Sequence, residues 1–260
     1  MPFRTVNGLR YFIFESLEAL GVRHGVFTRH GGVSPSPWES LNVGGSVGDE
    51  PERVRENLQR TFTALERFPE SRYDVWQVHS NTVVCAEAPY PAPRPPQQAD
   101  VVLTNRPEVT LILRYADCVP ILMYDPEKKV TGLVHAGWQG TVRQASASAV
   151  QALQTRYGCQ PEDLVVGIGP SIGHDHYPVG AAVVRQVRET FGDASEALLP
   201  VKNGRTCFDL WAANLWLLEQ AGVRQIELSN ICTACHVEDW FSHRAEKGRT
   251  GRFGALIYVD

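Results

Sequence analysis

Residues 116–140 read ADCVPILMYDPEKKVTGLVHAGWQG, two apolar runs on either side of a polar break that carries a proline. The runs are residues 119–124 and 130–135, and the break is Asp125-Pro126-Glu127-Lys128. Proline suits the second position of a type I turn because its ring holds φ near the required value. Apolar runs flanking such a turn predict a β-hairpin. In a regular hairpin paired residue numbers sum to a constant; Asp125 opposite Lys128 sets that sum at 253, and Cys118 with His135 has the same sum. Directly opposed residues have Cβ atoms roughly 4.5–5.5 Å apart, so this register brings a thiol and an imidazole together. A bulge would shift it by one and separate them. Three readings of the pair stand side by side: shared ligands of a metal, a nucleophile with its base, or a buried cysteine beside a hydrogen-bonded histidine. The company favours a site. Asp117 precedes the cysteine, His135 runs into Ala136-Gly137-Trp138-Gln139-Gly140, and glycines at a strand end let a ligand approach the backbone closely.

The whole chain sets wider bounds. Its 260 residues suffice for one large domain or two small ones, and a net charge of −4 gives no footing for nucleic acid or an anionic membrane surface. Residues 1–14 lack the basic start and long apolar core of a secretion signal, and no run approaches the roughly 18 apolar residues of a membrane span. A cytoplasmic protein is the expectation. Six scattered cysteines then point to reduced thiols rather than a disulfide framework. The run Cys232-Thr233-Ala234-Cys235-His236 matches a c-type haem attachment motif, but that attachment needs export. Haem is set aside, and a redox or metal role for the cysteine pair is kept as the lesser option.

Outward from the hairpin, residues 11–14 and 22–29 read as strands around a turn or short helix. Residues 30–49, rich in Gly and Pro and carrying Asn42 and Asp49, read with the adjacent Arg29 as a long ligand-facing loop. No phosphate loop or dinucleotide fingerprint occurs there. Asp49 as N-cap, Pro51 in the first turn and Val54, Leu58, Phe62 and Leu65 at helical spacing predict a helix to about Arg67. Residues 73–79 and 82–87 read as a strand pair with His79 at the end of the first, a third candidate site residue beside Cys118 and His135, and 89–96 as a proline-rich connector. Strands follow at 101–104 and 109–115, a helix at 141–157 closed by Gly158, and a strand at 164–168. A second loop, 169–177, holds His174 and His176; helices at 181–191 and 209–221 and strands at 226–229 and 255–259 complete the pattern. Residues 241–252 carry four cations, Arg244, Lys247, Arg249 and Arg252, and read as an anion-binding loop. Strands mixed with helices, some joined as hairpins, predict a single α/β (α+β) layered domain over residues 1–260 with mixed sheets.

Taken in order, Phe27-Thr28-Arg29-His30-Gly31-Gly32-Val33-Ser34, Leu41-Asn42-Val43 with Gly48-Asp49, Gln77-Val78-His79, Ala116-Asp117-Cys118-Val119-Pro120, His135-Ala136-Gly137-Trp138, Gly169-Pro170, and Phe241-Ser242 through Thr250-Gly251-Arg252 resemble the YfiH/LACC1-like family. That family was first described as multicopper polyphenol oxidases and later as purine nucleoside phosphorylases. The resemblance implies a layered fold similar to the cytotoxic-necrotizing-factor deamidases and a metal site of His79, Cys118 and His135, two of which the hairpin pairs independently. It implies zinc, with copper as the alternative. It also implies phosphorolysis of adenosine, inosine, guanosine and S-methyl-5′-thioadenosine, with adenosine deamination. Arg29, Asn42, Arg244 and Arg252 become candidate substrate-binding residues, and Asp117 the candidate proton shuttle beside Cys118 and His135. Purine nucleosides and phosphate are the expected partners, with no nucleic acid and no membrane, in a monomer or homodimer.

The chain departs from the family pattern at Gln139, His176, Pro178 and Ala245, which bear on substrate preference and leave the ligand set intact. Two rival readings remain: a copper-dependent phenol oxidase, since copper also accepts two imidazoles and a thiolate, and a metal-free hydrolase using Cys118 and His135.

Overall fold

A computed structural model describes residues 2–90 and 96–260, so most of the connector expected at 89–96 lies outside the described residues. The chain opens with β1 (Phe3–Val6), β2 (Leu9–Phe12), α1 (Glu15–Ala19) and β3 (Arg23–Phe27). The 28–50 loop leads to α2 (Pro51–Ala64), with proline in its first turn. The sequence places Asp49 at the cap of this helix. In the structure Glu50 holds that position, and Asp49 turns inward to accept hydrogen bonds from Ser34 Oγ at 2.6 Å and Asn42 Nδ2 at 2.9 Å.

Next come β4 (Arg72–Tyr73), β5 (Val83–Cys85), β6 (Val101–Thr104), β7 (Thr110–Tyr115), β8 (Val119–Asp125) and β9 (Val130–Ala136). The region expected as one helix is two, α3 (Trp138–Val142) and α4 (Ala145–Tyr157), because Gln144 takes a left-handed φ of 61° between them. The rest is β10 (Val165–Ile168), α5 (Ala181–Phe191), α6 (Ser195–Leu198), a small hairpin of β11 (Val201–Lys202) and β12 (Arg205–Thr206), α7 (Leu210–Gln220), β13 (Gln225–Leu228) and β14 (Phe253–Tyr258). Asp209 caps α7 by accepting from the Ala212 N–H at 2.9 Å.

Two six-stranded sheets result, ordered β1-β2-β3-β14-β7-β4 and β13-β10-β8-β9-β6-β5. Both are mixed, with parallel pairs β4/β7, β5/β6 and β10/β13 among antiparallel ones. β4 and β5, read from sequence as partners, belong to different sheets. Alternation along the strands explains the layers. In β8, Val119, Ile121 and Met123 face the helices α4, α5 and α7, while Leu122 and Tyr124 face the other sheet. In β14, Phe253, Ala255 and Ile257 fill the space between the sheets, while Leu256 and Tyr258 meet Leu58 and Phe62 of α2. The order of layers is helix, sheet, sheet, helices. Central strands are covered on both faces, so they read as unbroken apolar runs rather than alternating ones.

The central hairpin forms, with a different register. Asp125 pairs with Val130 and Val119 with Ala136, so paired numbers sum to 255. Asp125 Oδ1 accepts the N–H groups of Glu127 and Lys128 at 2.9 and 2.8 Å, and Lys129 adopts a left-handed φ of 52°. Residues 126–129 are thereby spent in the loop. A shift of two preserves the face of every side chain, where a shift of one would reverse it. Cys118 therefore lies diagonal to His135, whose direct partner is Pro120.

Candidate metal centre and cleft

His135 points into the layer between the sheets, where it is 4% exposed. Its Nδ1 lies 2.8 Å from Asp100 Oδ1, and its backbone N–H donates to Asp100 O at 2.8 Å. Asp100 sits just before β6 with its side chain fully buried, and it serves a second element too. Its carboxylate accepts the N–H groups of Val78, His79 and Ser80 and the Ser80 hydroxyl, at 2.6–3.2 Å. These bonds fix the loop that carries His79, which adopts a left-handed φ of 59°. One buried carboxylate thus positions both histidines. Burial alone would raise the Asp100 carboxyl, but hydrogen bonding and charge attraction from His135, with the bonds from Ser80, outweigh it and bring its pKa to about 2. Held by that carboxylate, the neutral His135 ring keeps its proton on Nδ1 and presents Nε2 as the ligand atom.

Cys118 faces the two imidazoles. Its Sγ is 4.0 Å from His79 Nε2, the two histidine rings are 5.0 Å apart, and the three ligand atoms lie within 4.8 Å of one another. Burial would push the thiol up; the charge of His135 and hydrogen bonds from both histidines prevail and lower it to about 6. For His135 burial acts downward, and the attraction of Cys118 and Asp100 overcomes it, raising the ring to about 9. A thiolate between two imidazoles, one locked in its tautomer, is a donor set that suits zinc and leaves a fourth position open. The structure thus brings together the His79, Cys118 and His135 named from sequence.

Gly137 makes that proximity possible. A Cβ there would stand 2.8 Å from Cys118 Sγ and 3.0 Å from His79 Cδ2. Gly137→Ala is expected to push the ligands apart and weaken metal binding on the order of 10–100-fold. Competition against a chromophoric chelator would measure it, and unchanged affinity would refute this role for the glycine.

The three ligands line a cleft of about 1010 Å³. Arg244 and Arg252 also line it, as do Trp76, Arg114 and Tyr177. Arg244 stacks on the Tyr177 ring with its guanidinium carbon 4.7 Å from the centroid and donates to Pro178 O at 3.2 Å. Arg252 donates to the carbonyls of Thr250 and Gly251 at 3.3 and 2.9 Å. Asp117 reaches the cleft with a left-handed φ of 83°. Its two carboxylate oxygens accept from Thr233 Oγ1 and from the Arg244 N–H, each at 2.7 Å.

Arg29 and Asn42 are placed elsewhere. Arg29 donates to Glu246 Oε1 at 3.0 Å and packs its guanidinium 4.5 Å from the Phe241 ring centre. Asn42 is fully buried, donates to Asp49, and accepts from the N–H groups of Gly44 and Arg252 at 2.9 and 2.8 Å. The 28–50 loop is thus largely pinned by its own polar groups, and only residues 43–46 of it line the cleft. Sequence reasoning missed Asp100, Arg114 and Trp76. The available signals were an acid directly preceding the apolar run 101–103 and a lone cation within the apolar strand 110–115.

Comparison with known proteins agrees with this architecture. Residues 23–260 match the family described as multi-copper polyphenol oxidoreductase laccase. A protein of Deinococcus radiodurans named purine nucleoside phosphorylase is 37% identical over 92% of this chain and 89% of its own length. The crystal structure of the Bacillus licheniformis hypothetical protein YfiH superposes with a TM-score of 0.92 at 32% identity, covering 100% of this chain and 99% of that one. That of YlmD from Geobacillus stearothermophilus gives 0.91 at 33% identity, covering 99% and 98%. Family match, relatives and fold agree, and the chain belongs to the multi-copper polyphenol oxidoreductase laccase family, alongside the YfiH and YlmD proteins.

Proposed function

We propose that the chain is a zinc-dependent purine nucleoside phosphorylase of the cytoplasm, a single domain working as monomer or homodimer. Its substrates on this reading are adenosine, inosine, guanosine and S-methyl-5′-thioadenosine, with accompanying adenosine deamination. The observation that carries it is the three-ligand centre opening into a cleft lined by Arg244 and Arg252. At about 1010 Å³ the cleft has room for a nucleoside and phosphate together. Relatives named purine nucleoside phosphorylase support the same reaction.

In phosphorolysis a phosphate oxygen bonds to C1′ while the bond from C1′ to the purine nitrogen breaks. The electron pair leaves with the purine, which takes up a proton, and the sugar 1-phosphate is released. Arg252 and Arg244 hold the phosphate by charge and hydrogen bonds. Trp76, 53% exposed, offers a ring face for the purine. His79, Cys118 and His135 would hold zinc, which when bound would supply Lewis acidity for a substrate oxygen or, in deamination, for the water that displaces the 6-amino group of the purine as ammonia. With both its oxygens engaged, Asp117 is assigned to positioning Arg244 rather than to shuttling a proton, and Arg29 and Asn42 to bracing the 241–252 loop. Arg252→Ala is expected to raise the KM for phosphate roughly 10-fold or more, the loss of a charged hydrogen bond. An unchanged phosphate KM would remove Arg252 from the phosphate site.

The deciding test is release of base from adenosine and inosine by zinc-loaded protein, with and without phosphate. Adenine or hypoxanthine formed only with phosphate supports the phosphorylase, and inosine formed from adenosine without phosphate supports the deaminase. No turnover of either substrate overturns the reading. Copper remains the alternative metal, since the same three ligands suit it. A multicopper phenol oxidase needs further histidine-rich sites, however. Among the described residues the groups of three or more clustered metal-binding side chains contain only His79, His135 and His176.

A further inference from the structure

Four other donor side chains converge beyond the cleft centre. Asp175 and His176 lie in the short turn after β10, and Cys232 and Cys235 in the turn after β13. The two segments run side by side: Ser171 N–H donates to Ile231 O, and Thr233 N–H donates to Ser171 O, each at 3.1 Å. His176 Nδ1 stands 3.5 Å from Cys235 Sγ, 3.8 Å from Cys232 Sγ and 3.1 Å from Asp175 Oδ1. All four donor atoms lie within 4.8 Å of one another.

A single ring nitrogen facing three electron-rich atoms is poorly served by a proton, which satisfies one of them. A cation satisfies all. Zinc bound tetrahedrally, with about 2.3 Å to sulfur and about 2.0–2.1 Å to nitrogen or oxygen, sets its ligand atoms roughly 3.3–3.8 Å apart. The spacings around His176 fall at or near that range. Two surrounding groups fit the same picture. The Gly173 N–H donates to Cys232 Sγ at 3.2 Å, as suits a thiolate, and Lys202 Nζ lies 3.1 Å from Asp175 Oδ2. Two thiolates and a carboxylate carry three negative charges, which one divalent cation and one lysine neutralise.

We propose that Asp175, His176, Cys232 and Cys235 form a second zinc site, structural in kind. Two thiolates select a soft cation over magnesium or calcium, and four protein ligands close the coordination sphere, which distinguishes this site from the three-ligand centre. Binding releases the two thiol protons, so affinity rises with pH. Cys232 is buried while His176 and Cys235 are exposed, which gives the ion a way in. The site staples two segments that both hold Asp117, a residue lining the cleft. Thr233, between the two cysteines, donates to Asp117, and Ile172 N–H donates to Asp117 O at 3.0 Å. None of this depends on the phosphorylase reading.

The test is metal content of the full chain, reduced with a phosphine, loaded with zinc and desalted. Two zinc ions per chain are expected, one in Cys118→Ala, one in Cys235→Ala or His176→Ala, and none in the variant lacking both Cys118 and Cys235. Wild-type protein holding a single zinc that Cys118→Ala removes would overturn the proposal, as would Cys235→Ala with wild-type content. Cobalt titration of Cys118→Ala gives an independent reading. Thiolate-to-cobalt absorption with visible bands of tetrahedral intensity, abolished by adding Cys235→Ala, supports the site; a colourless Cys118→Ala protein overturns it.

Discussion

On the proposed function, Cys118→Ala is expected to empty the cleft centre of zinc and to lower nucleoside turnover by at least about 10³-fold, since a catalytic metal contributes several kcal/mol of transition-state stabilisation. The thiol is the one anionic ligand of its set, held between His79 and His135 and acidified to about 6 even without a metal. Its removal leaves two imidazoles, too few to hold the ion tightly. The fold should survive, because Cys118 lies just outside β8 and only borders the core between the sheets. Parallel assays of base release, metal content and thermal unfolding test this. An active variant without zinc would end the metal-dependent mechanism and return Cys118 to a packing role.

Asp100→Asn tests the other half of the centre. Asparagine keeps the size but replaces one acceptor oxygen by a donor, among four bonds arriving from residues 78–80 and a fifth contact with His135. Zinc affinity should fall on the order of 10–100-fold, the usual cost of losing the carboxylate behind a ligating histidine. The metal-free protein should also change its response to acid. The folded-state carboxyl is depressed to about 2 from its ordinary value of 3.8. Its contribution to stability is therefore complete above about pH 4 and is lost as pH falls towards 2, worth on the order of 2 kcal/mol. Wild-type protein should lose that much more stability than Asp100→Asn between pH 4 and pH 2, by denaturant unfolding at each pH. Equal losses would show that Asp100 is not the depressed acid.

The strands and helices were largely legible because apolar runs, prolines and terminal glycines are local signals. What required the folded chain was pairing. The β8–β9 turn reads correctly as a turn, yet its register depends on where the Asp125 side chain binds and on Lys129 adopting a left-handed conformation. Neither follows from composition. Of the metal set, Cys118 and His135 could be related through the hairpin, whereas His79 stood out only by its place at a strand end, and the family resemblance joined it to them. Asp100 was invisible for a related reason: a buried acid is recognised by its partners, and these come from residues 78–80 and 135. Arg29 and Asn42 show the converse. Polar residues in a glycine-rich loop look available for substrate, while here they hold that loop to residues 246 and 252.

The position of β14 carries a consequence for synthesis. This strand, residues 253–258, lies between β3 and β7 and, among the described residues, is the only link between them in its sheet. A ribosome releases it long after its neighbours, which until then have no partner across the gap. Closure of this sheet thereby waits until residues 253–258 have been made, with the apolar edges of β3 and β7 open until then. A chain without residues 253–258 would hold two half-sheets around an unclosed core, material for proteolysis rather than a weakened protein.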